Sequence, residues 1–447
     1  DDNDDNNELC EDIFTDNYIN YTELLIRDRL SWVFATAISQ DKENCKSFED
    51  VVQSEIYNSV IKYNIEKSDI NDTYENIIES IIYIMNTSDT KTRMNELIEL
   101  YEKTPIKGLR TKIDKNMKAT EEERLKNAEV HTCFELVDKL LDLIPGYIWK
   151  TPHKVADLSC GKGNIVRGIF NKFFYGLEEY EPDPVERCIL ILQECIYISD
   201  IEPINVWTTR LLLCLECRSY SSLPALSEDG VEKKEQESLS SYMSIIEQHS
   251  NVGDSLTLDI KELWNIDGFD AIIENPPYNK KNVNGKTVQG KNKLYCEFLS
   301  KDIDRLNEGG ELVYVTPSSW ITGNMSVYNK VVNYDIKYIN FNKVKETYFP
   351  NISYELCYYN IQKTNNKHNT IIIDSDGNEF TMSFKLKKES ITLPVVFSVE
   401  NIKLLQKLLT PNNIYNEFKY IKDLTISKEH IIDTCNDEYK YKVRKYT

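Results

Sequence analysis

The apolar positions along the chain change their period near residue 126. From about Tyr21 to Tyr101 they recur at helical spacing, with Val51, Ile56, Val60, Ile61 and Ile65 in one set and Ile77, Ile78, Ile81, Ile82 and Ile84 in another. Glycine is absent before Gly108 and proline before Pro105, so little interrupts this stretch. Residues 21–125 are therefore predicted to form a helical N-terminal domain, ending in a connector rich in lysine and arginine. Short apolar runs bounded by turn residues then take over. Lys154–Ser159, Ile196–Pro203, Phe269–Ile273, Gly309–Pro317, Tyr338–Phe341 and Leu356–Ile361 read as strands or as turns adjoining them. The apolar run at 269–273, interrupted only by Asp270, suits a buried parallel strand. Helical patterns lie between them, from a short turn within Ala128–Val137 through Leu143, from Ile165, over Val206–Cys217 and over Phe298–Asn307. Residues 219–250, rich in serine and charge, are expected to be a surface insertion. Beyond 365 the strand patterns at 370–373 and 380–382 and a helix near 398–409 predict a small mixed α+β C-terminal region over 366–447.

Composition narrows the class. The chain has 447 residues, 41% hydrophobic and 28% charged, with a formal charge of −20. Half of the first sixteen residues are acidic, so residues 1–20 are expected to be a solvated, mobile tail. No run approaches 18 apolar residues and no basic-then-apolar leader appears, which predicts neither a membrane span nor secretion. The 11 cysteines are scattered and odd in number, which suits reduced thiols. Cys214 and Cys217 form a C-x-x-C pair without a second pair and read as core residues; no metal site is expected. Such acidity argues against nucleic acid bound over the whole surface but leaves room for a local basic track. Glu102-Lys103 lacks the acidic pair and strand context of a nuclease.

Chemistry concentrates where the run at 269–273 ends, in Glu274-Asn275-Pro276-Pro277-Tyr278. An asparagine side-chain oxygen can accept a hydrogen bond from an exocyclic amine. Pro277 lacks an N–H, so the corner offers carbonyl acceptors, and both prolines hold φ near −65° before a substrate arrives. Tyr278 can stack on a base drawn out of a helix. A second candidate is Asp157-Leu158-Ser159-Cys160-Gly161-Lys162-Gly163-Asn164, where strand, glycine turn and helix N-terminus let a ligand approach backbone N–H groups. Asp200, at the edge of the strand at 196–200, can accept two hydrogen bonds from ribose hydroxyls, with Glu178 as its competitor. Asp254 suits an adenine amino group, or equally a helix N-cap. The stretch Asn279–Cys296 carries Lys280, Lys281, Lys286, Lys291 and Lys293 with no acid, as a phosphate-tracking loop would.

In order, Glu129-Val130-His131-Thr132, the 157–164 turn, Asp200-Ile201-Glu202-Pro203, Gly253-Asp254, Asn275-Pro276-Pro277-Tyr278 and Thr316-Pro317-Ser318-Ser319-Trp320 resemble the gamma-class adenine-N6 DNA methyltransferases. The likeness is greatest to the methyltransferase part of type IIG restriction–modification enzymes. It spans about 125–365 and implies a Rossmann-like, class I S-adenosylmethionine-dependent α/β sheet over 126–365. By this resemblance Thr132 and the Gly161–Gly163 loop hold the cofactor's methionine moiety, Asp200 its ribose and Asp254 its adenine. Asp157, Cys160, Asn164, Ile201 and Ser255 complete that site. Asn275 and the Pro276 carbonyl hold the target amine, with Pro277 and Tyr278 completing the catalytic corner. Tyr278 and Phe349 sandwich the flipped base, and the lysines 280, 281, 286, 291 and 293 contact the substrate. Two turns depart from the resembled pattern. His131-Thr132-Cys133 stands where Phe-Thr-Pro is usual, and Leu158, Ser159 and Ile165 stand in place of Pro, Ala and Phe.

The implied activity is methyl transfer from S-adenosylmethionine to adenine N6 in DNA, with DNA as partner and no membrane. The C-terminal region would be a candidate reader of the target sequence. The location expected is intracellular, in cytoplasm or nucleus, wherever the DNA is. RNA adenine or a protein glutamine are alternative targets of the same corner, and a scaffold subunit without activity is a third reading. Oligomeric state is left open between a monomer and a complex with a partner subunit.

Overall fold

The structure, a computed structural model, describes residues 132–221, 239–279, 293–322, 326–350 and 352–384, together with Ser398. The expected acidic tail, the helical domain at 21–125 and the helix near 398–409 fall outside the described residues, Ser398 apart.

Among the described residues nine strands form one sheet: β1 (Val155–Asp157), β2 (Ile196–Asp200), β3 (Ser250–Val252), β4 (Phe269–Glu274), β5 (Leu306–Pro317), β6 (Asp335–Asn340), β7 (Leu356–Gln362), β8 (Thr370–Ile373) and β9 (Glu379–Met382). Their order is β3-β2-β1-β4-β5-β7-β6-β8-β9. The first five run parallel, and β7 is inserted antiparallel to both β5 and β6. Every residue of β1 and β2 is buried, which is why these strands read as continuous apolar runs rather than alternating ones.

The helices are α1 (Phe134–Leu141), α2 (Asn164–Gly176), α3 (Pro184–Leu190), α4 (Pro203–Ser221), α5 (Leu239–Glu247), α6 (Ile260–Trp264), α7 (Leu294–Arg305), α8 (Tyr328–Val331) and α9 (Val344–Tyr348). Local chemistry sets their ends. At α3 the Asp183 carboxylate accepts the N–H groups of Val185 and Glu186 at 2.9 and 3.0 Å, and Pro184 fills the first helical position. Among the described residues no helix is long and apolar enough to cross a membrane.

From β1 the chain steps through α2 to β2 on one side; from β4 it steps through α7 to β5 on the other. Right-handed crossovers in opposite directions place α2 and α7 on opposite faces of the sheet. The direction of winding reverses between β1 and β4, which leaves a crevice at their C-terminal ends. Both motif turns emerge there.

Three expectations are corrected. The supposed surface insertion over 219–250 includes the end of α4, all of α5 and the start of β3; Tyr242, Met243 and Ile246 of α5 are buried, an apolar stripe that the serines around it obscure in sequence. The sheet runs past residue 365, since β8 pairs parallel with β6 and β9 pairs with β8. Residues 370–382 thus complete the main sheet through backbone pairing that local pattern cannot show. The helix expected over 298–307 begins at Leu294 and gives way at Leu306, which pairs with Phe269 ahead of a register shift in β5.

Candidate active site

The glycine turn is tied down from both sides. Cys160 N–H donates to the Ser199 carbonyl at 3.0 Å, and Gly163 N–H to the Cys160 carbonyl at 2.8 Å. Gly161 and Gly163 have φ of +48° and +80°, a left-handed backbone that costs any L side chain strain. A Cβ on Gly163 would lie 2.7 Å from Thr209 Oγ1 on α4. Gly161 N–H donates to Asp200 Oδ2 at 2.8 Å, so the turn is clamped to the end of β2.

The Asp200 carboxylate also accepts Glu202 N–H at 2.8 Å and Asn205 Nδ2 at 3.2 Å on Oδ1. Three of a carboxylate's roughly four lone-pair sites are thereby taken. One site of the Asp200 carboxylate is thereby left for a further donor, beside the three that Gly161, Glu202 and Asn205 supply. Its competitor Glu178 follows α2, about 20 Å along the helix from the turn. Ile201, 64% exposed, offers an apolar surface beside Asp200.

Across the crevice, Asn164 Nδ2 donates to the Thr132 carbonyl at 2.8 Å, while Asn275 Nδ2 donates to Thr132 Oγ1 at 2.9 Å. One threonine therefore joins the first residue of α2 to the amide corner. Tyr278 OH donates to Asn275 Oδ1 at 2.6 Å. With its nitrogen on Thr132 and its oxygen accepting from Tyr278, the Asn275 amide is fixed in orientation. Asn164 Oδ1 is buried without a hydrogen-bond partner.

The other expected residues divide. Asp254 is exposed; its Oδ1 accepts Leu256 N–H at 2.9 Å, and the helix cap that was its alternative role belongs to Asp259. Ser255 is buried beneath the turn, donating to the Leu158 carbonyl at 2.5 Å and 2.8 Å from Ser199 Oγ, so it fastens strand ends rather than lining the crevice. Asp157 and Cys160 are likewise buried. Phe349 is buried at the end of α9, but the ring that meets Tyr278 is that of Tyr354, with centroids 6.0 Å apart and planes at 70°. Tyr278 is 2% exposed. Tyr354 OH accepts from Asn279 Nδ2 at 3.3 Å, and Lys293 Nζ donates to Asn279 Oδ1 at 3.4 Å. Lys280, Lys281, Lys286 and Lys291 lie outside the described residues.

Beneath these turns runs a closed chain of buried hydrogen bonds that sequence reading missed. Glu274 accepts Leu158 N–H at 2.8 Å and Ser159 Oγ at 3.2 Å; Tyr314 OH contacts Glu274 Oε2 at 3.2 Å and makes a short hydrogen bond to Asp302. Asp302 pairs with Arg305 at 2.9 Å, and Arg305 donates to the Ser255 and Leu258 carbonyls at 2.5 and 2.7 Å. Ser255 Oγ returns to Leu158 and closes the circuit.

Burial, first of all, pushes Glu274, Asp157, Asp302 and Asp200 above the ordinary carboxylate range, and the charges of Asp302 and Asp157 add to the shift at Glu274. A proton held more tightly in the folded than in the unfolded chain stabilises the fold below the ordinary range. That stabilisation is lost as pH rises through the raised values. The urea midpoint is expected to fall as pH rises from the ordinary glutamate value of 4.5, and Glu274→Gln is expected to make the fall shallower. Equal slopes in the two proteins would reject this assignment.

Among solved structures, the chain resembles that of MmeI, described as a type IIL restriction-modification enzyme in complex with DNA, at 10% identity and a TM-score of 0.51, covering 82% of this chain and 60% of that one. It also resembles a modification subunit of a type I restriction enzyme from Vibrio vulnificus (13%, TM-score 0.39, 77% of this chain and 63% of that one). A third likeness is to a protein from Listeria monocytogenes assigned as a class I S-adenosylmethionine-dependent methyltransferase (13%, TM-score 0.35, 77% and 88%). The chain thus spans less than two thirds of the MmeI chain and of the Vibrio subunit. At these identities the likeness is one of fold. No curated protein matches the chain. Residues 194–349 match the family model Eco57I restriction-modification methylase, a stretch that holds Asp200, Asp254 and the Asn275 corner.

Proposed function

We propose that this chain is a site-specific DNA methyltransferase that transfers a methyl group from S-adenosylmethionine to N6 of an adenine turned out of the duplex. The observation that carries the reading is Thr132, which holds Asn164 of the glycine turn with its carbonyl and Asn275 of the amide corner with its hydroxyl. A cofactor half and a target half thereby meet at one residue.

The cofactor fits the residues present. The unpartnered acceptor Asn164 Oδ1 suits an ammonium group such as the methionine moiety carries. The remaining acceptor capacity of Asp200 suits one ribose hydroxyl, Ile201 an adenine face, and the exposed Asp254 an adenine amino group. When bound, S-adenosylmethionine supplies an electrophilic methyl group.

The target nitrogen is a weak nucleophile because its lone pair is delocalised into the ring. Asn275 Oδ1 and the Pro276 carbonyl, both acceptors, would draw the amine toward tetrahedral geometry and aim that lone pair across the crevice. Their fixed positions mean that little reorganisation accompanies reaction. Stacking of the base on Tyr278 requires Tyr354 to give way, since that ring covers it in the present arrangement. No base need act first, because the methylated nitrogen can lose its proton afterwards. Lys293, on the Asn279 side of the corner, would face the nucleic-acid backbone.

Methyl incorporation into duplex DNA, with S-adenosylmethionine as donor, followed by sequencing for N6-methyladenine, tests the proposal. Preferential methylation of RNA or of a glutamine peptide in direct competition would move the activity to another substrate. Tyr278→Phe removes the hydroxyl that orients Asn275 while keeping the ring. It is expected to lower kcat about tenfold with KM for DNA little changed, the effect of one lost orienting hydrogen bond; an unchanged kcat would remove the hydroxyl from the mechanism.

A further inference from the structure

Glu274 ends β4 immediately before Asn275 and is 0% exposed. An isolated buried carboxylate is costly, and such groups persist when several donors converge on them. Here the donors come from the opposite strand end. Leu158 N–H reaches Oε1 at 2.8 Å and Ser159 Oγ reaches Oε2 at 3.2 Å, both from the two residues between β1 and the glycine turn. Tyr314 OH, on the neighbouring strand β5 and in register with Glu274, supports Oε2 from the other side at 3.2 Å. Although β1 and β4 are adjacent, their backbone pairing stops at Ala156 and Ile272. Past that point the two chains diverge, one into the glycine turn and the other into the amide corner. Glu274 bridges this gap.

We propose that Glu274 is a positioning residue, a side-chain brace that sets the distance between the glycine turn and Asn275, with Leu158 N–H and Ser159 Oγ as its two fixed ends. This rests on the methyl-transfer reading above, because the distance it sets is the one a methyl group would cross. The turn itself keeps independent anchors, Cys160 on Ser199 and Gly161 on Asp200, so cofactor affinity does not depend on the brace. Loss of the brace alters the approach of the two halves while each half remains formed.

The test compares Ser159→Ala, Glu274→Ala, Glu274→Gln and the Ser159→Ala/Glu274→Ala double variant. The readouts are kcat, calorimetric Kd for S-adenosylmethionine and Tm. Glu274→Ala is expected to lower kcat about 100-fold, the scale of a misplacement near 1 Å, with Kd changed less than about threefold. Glu274→Gln, which keeps an acceptor for Leu158 and a polar partner for Ser159, is expected to recover kcat to within about fivefold of the unsubstituted protein. The double variant should lose no more kcat or Tm than Glu274→Ala alone, because contacting partners are not additive. Parallel loss of kcat, Kd and Tm would indicate a merely structural residue and overturn the proposal, as would additive losses. If the unsubstituted protein transfers no methyl group, the functional reading fails on its own, and additive Tm shifts would still overturn the contact. Should Glu274→Ala not fold, Ser159→Ala and its combination with Glu274→Gln supply the same cycle.

Discussion

Asn275→Ala is expected to lower methyl transfer by about three orders of magnitude while Kd for S-adenosylmethionine stays within about threefold. The truncation removes the acceptor proposed for the target amine. It also releases Thr132 Oγ1 and Tyr278 OH, whose hydrogen bonds at 2.9 and 2.6 Å fix the amide in the present structure. The glycine turn keeps its own anchors on Ser199 and Asp200, which is why cofactor binding should survive. Single-turnover rates with saturating cofactor, beside calorimetry, separate the two effects. Turnover close to that of the unsubstituted protein would remove Asn275 from the chemistry.

Gly163→Ala is expected to have the other large effect, and on both stability and cofactor binding. A residue with a Cβ at φ +80° bears about 1–2 kcal/mol of backbone strain. Its Cβ would also sit 2.7 Å from Oγ1 and 3.1 Å from Cγ2 of the buried Thr209, where overpacking costs about 1–3 kcal/mol. Together these predict a Tm lowered by about 5–10 °C and an S-adenosylmethionine Kd raised at least about tenfold, since the turn cannot shift without moving Asn164. Adding Thr209→Ala removes the two nearest atoms and leaves Cβ at 3.2 Å, so it should recover most of the packing part but not the backbone part. Full recovery by that second change, or no loss to recover, would contradict the account.

Much of the site could be read in sequence because its residue types are tied to local geometry. Asn275-Pro276-Pro277 owes its shape to proline, and Gly161-Lys162-Gly163 to left-handed φ, both legible from residue identity alone. The buried strands were legible for the same reason, as short apolar runs ended by turns. What escaped depends on chain segments meeting at long range. Glu274 looked like the polar end of an apolar run; its donors lie about 115 residues earlier and its tyrosine 40 later. Leu158 and Ser159 stood out in sequence only as departures from a resembled pattern, and the fold gives both a partner in Glu274. Ser255 adjoined a plausible ligand residue yet turned inward. Tyr354 carried no motif, although an aromatic five residues beyond Phe349 was the available signal. The backbone donors that Asp200 holds, Gly161 and Glu202, are likewise invisible until the turn is folded.

Thr132 serves its two neighbours with different parts of itself, the main chain to Asn164 and the side chain to Asn275. Any residue at that position can keep the first tie, whereas the second needs a side-chain acceptor placed where the hydroxyl now lies. On the proposed reading, a substitution at that one position would retune the acceptor offered to the incoming base and leave the tie to Asn164 in place.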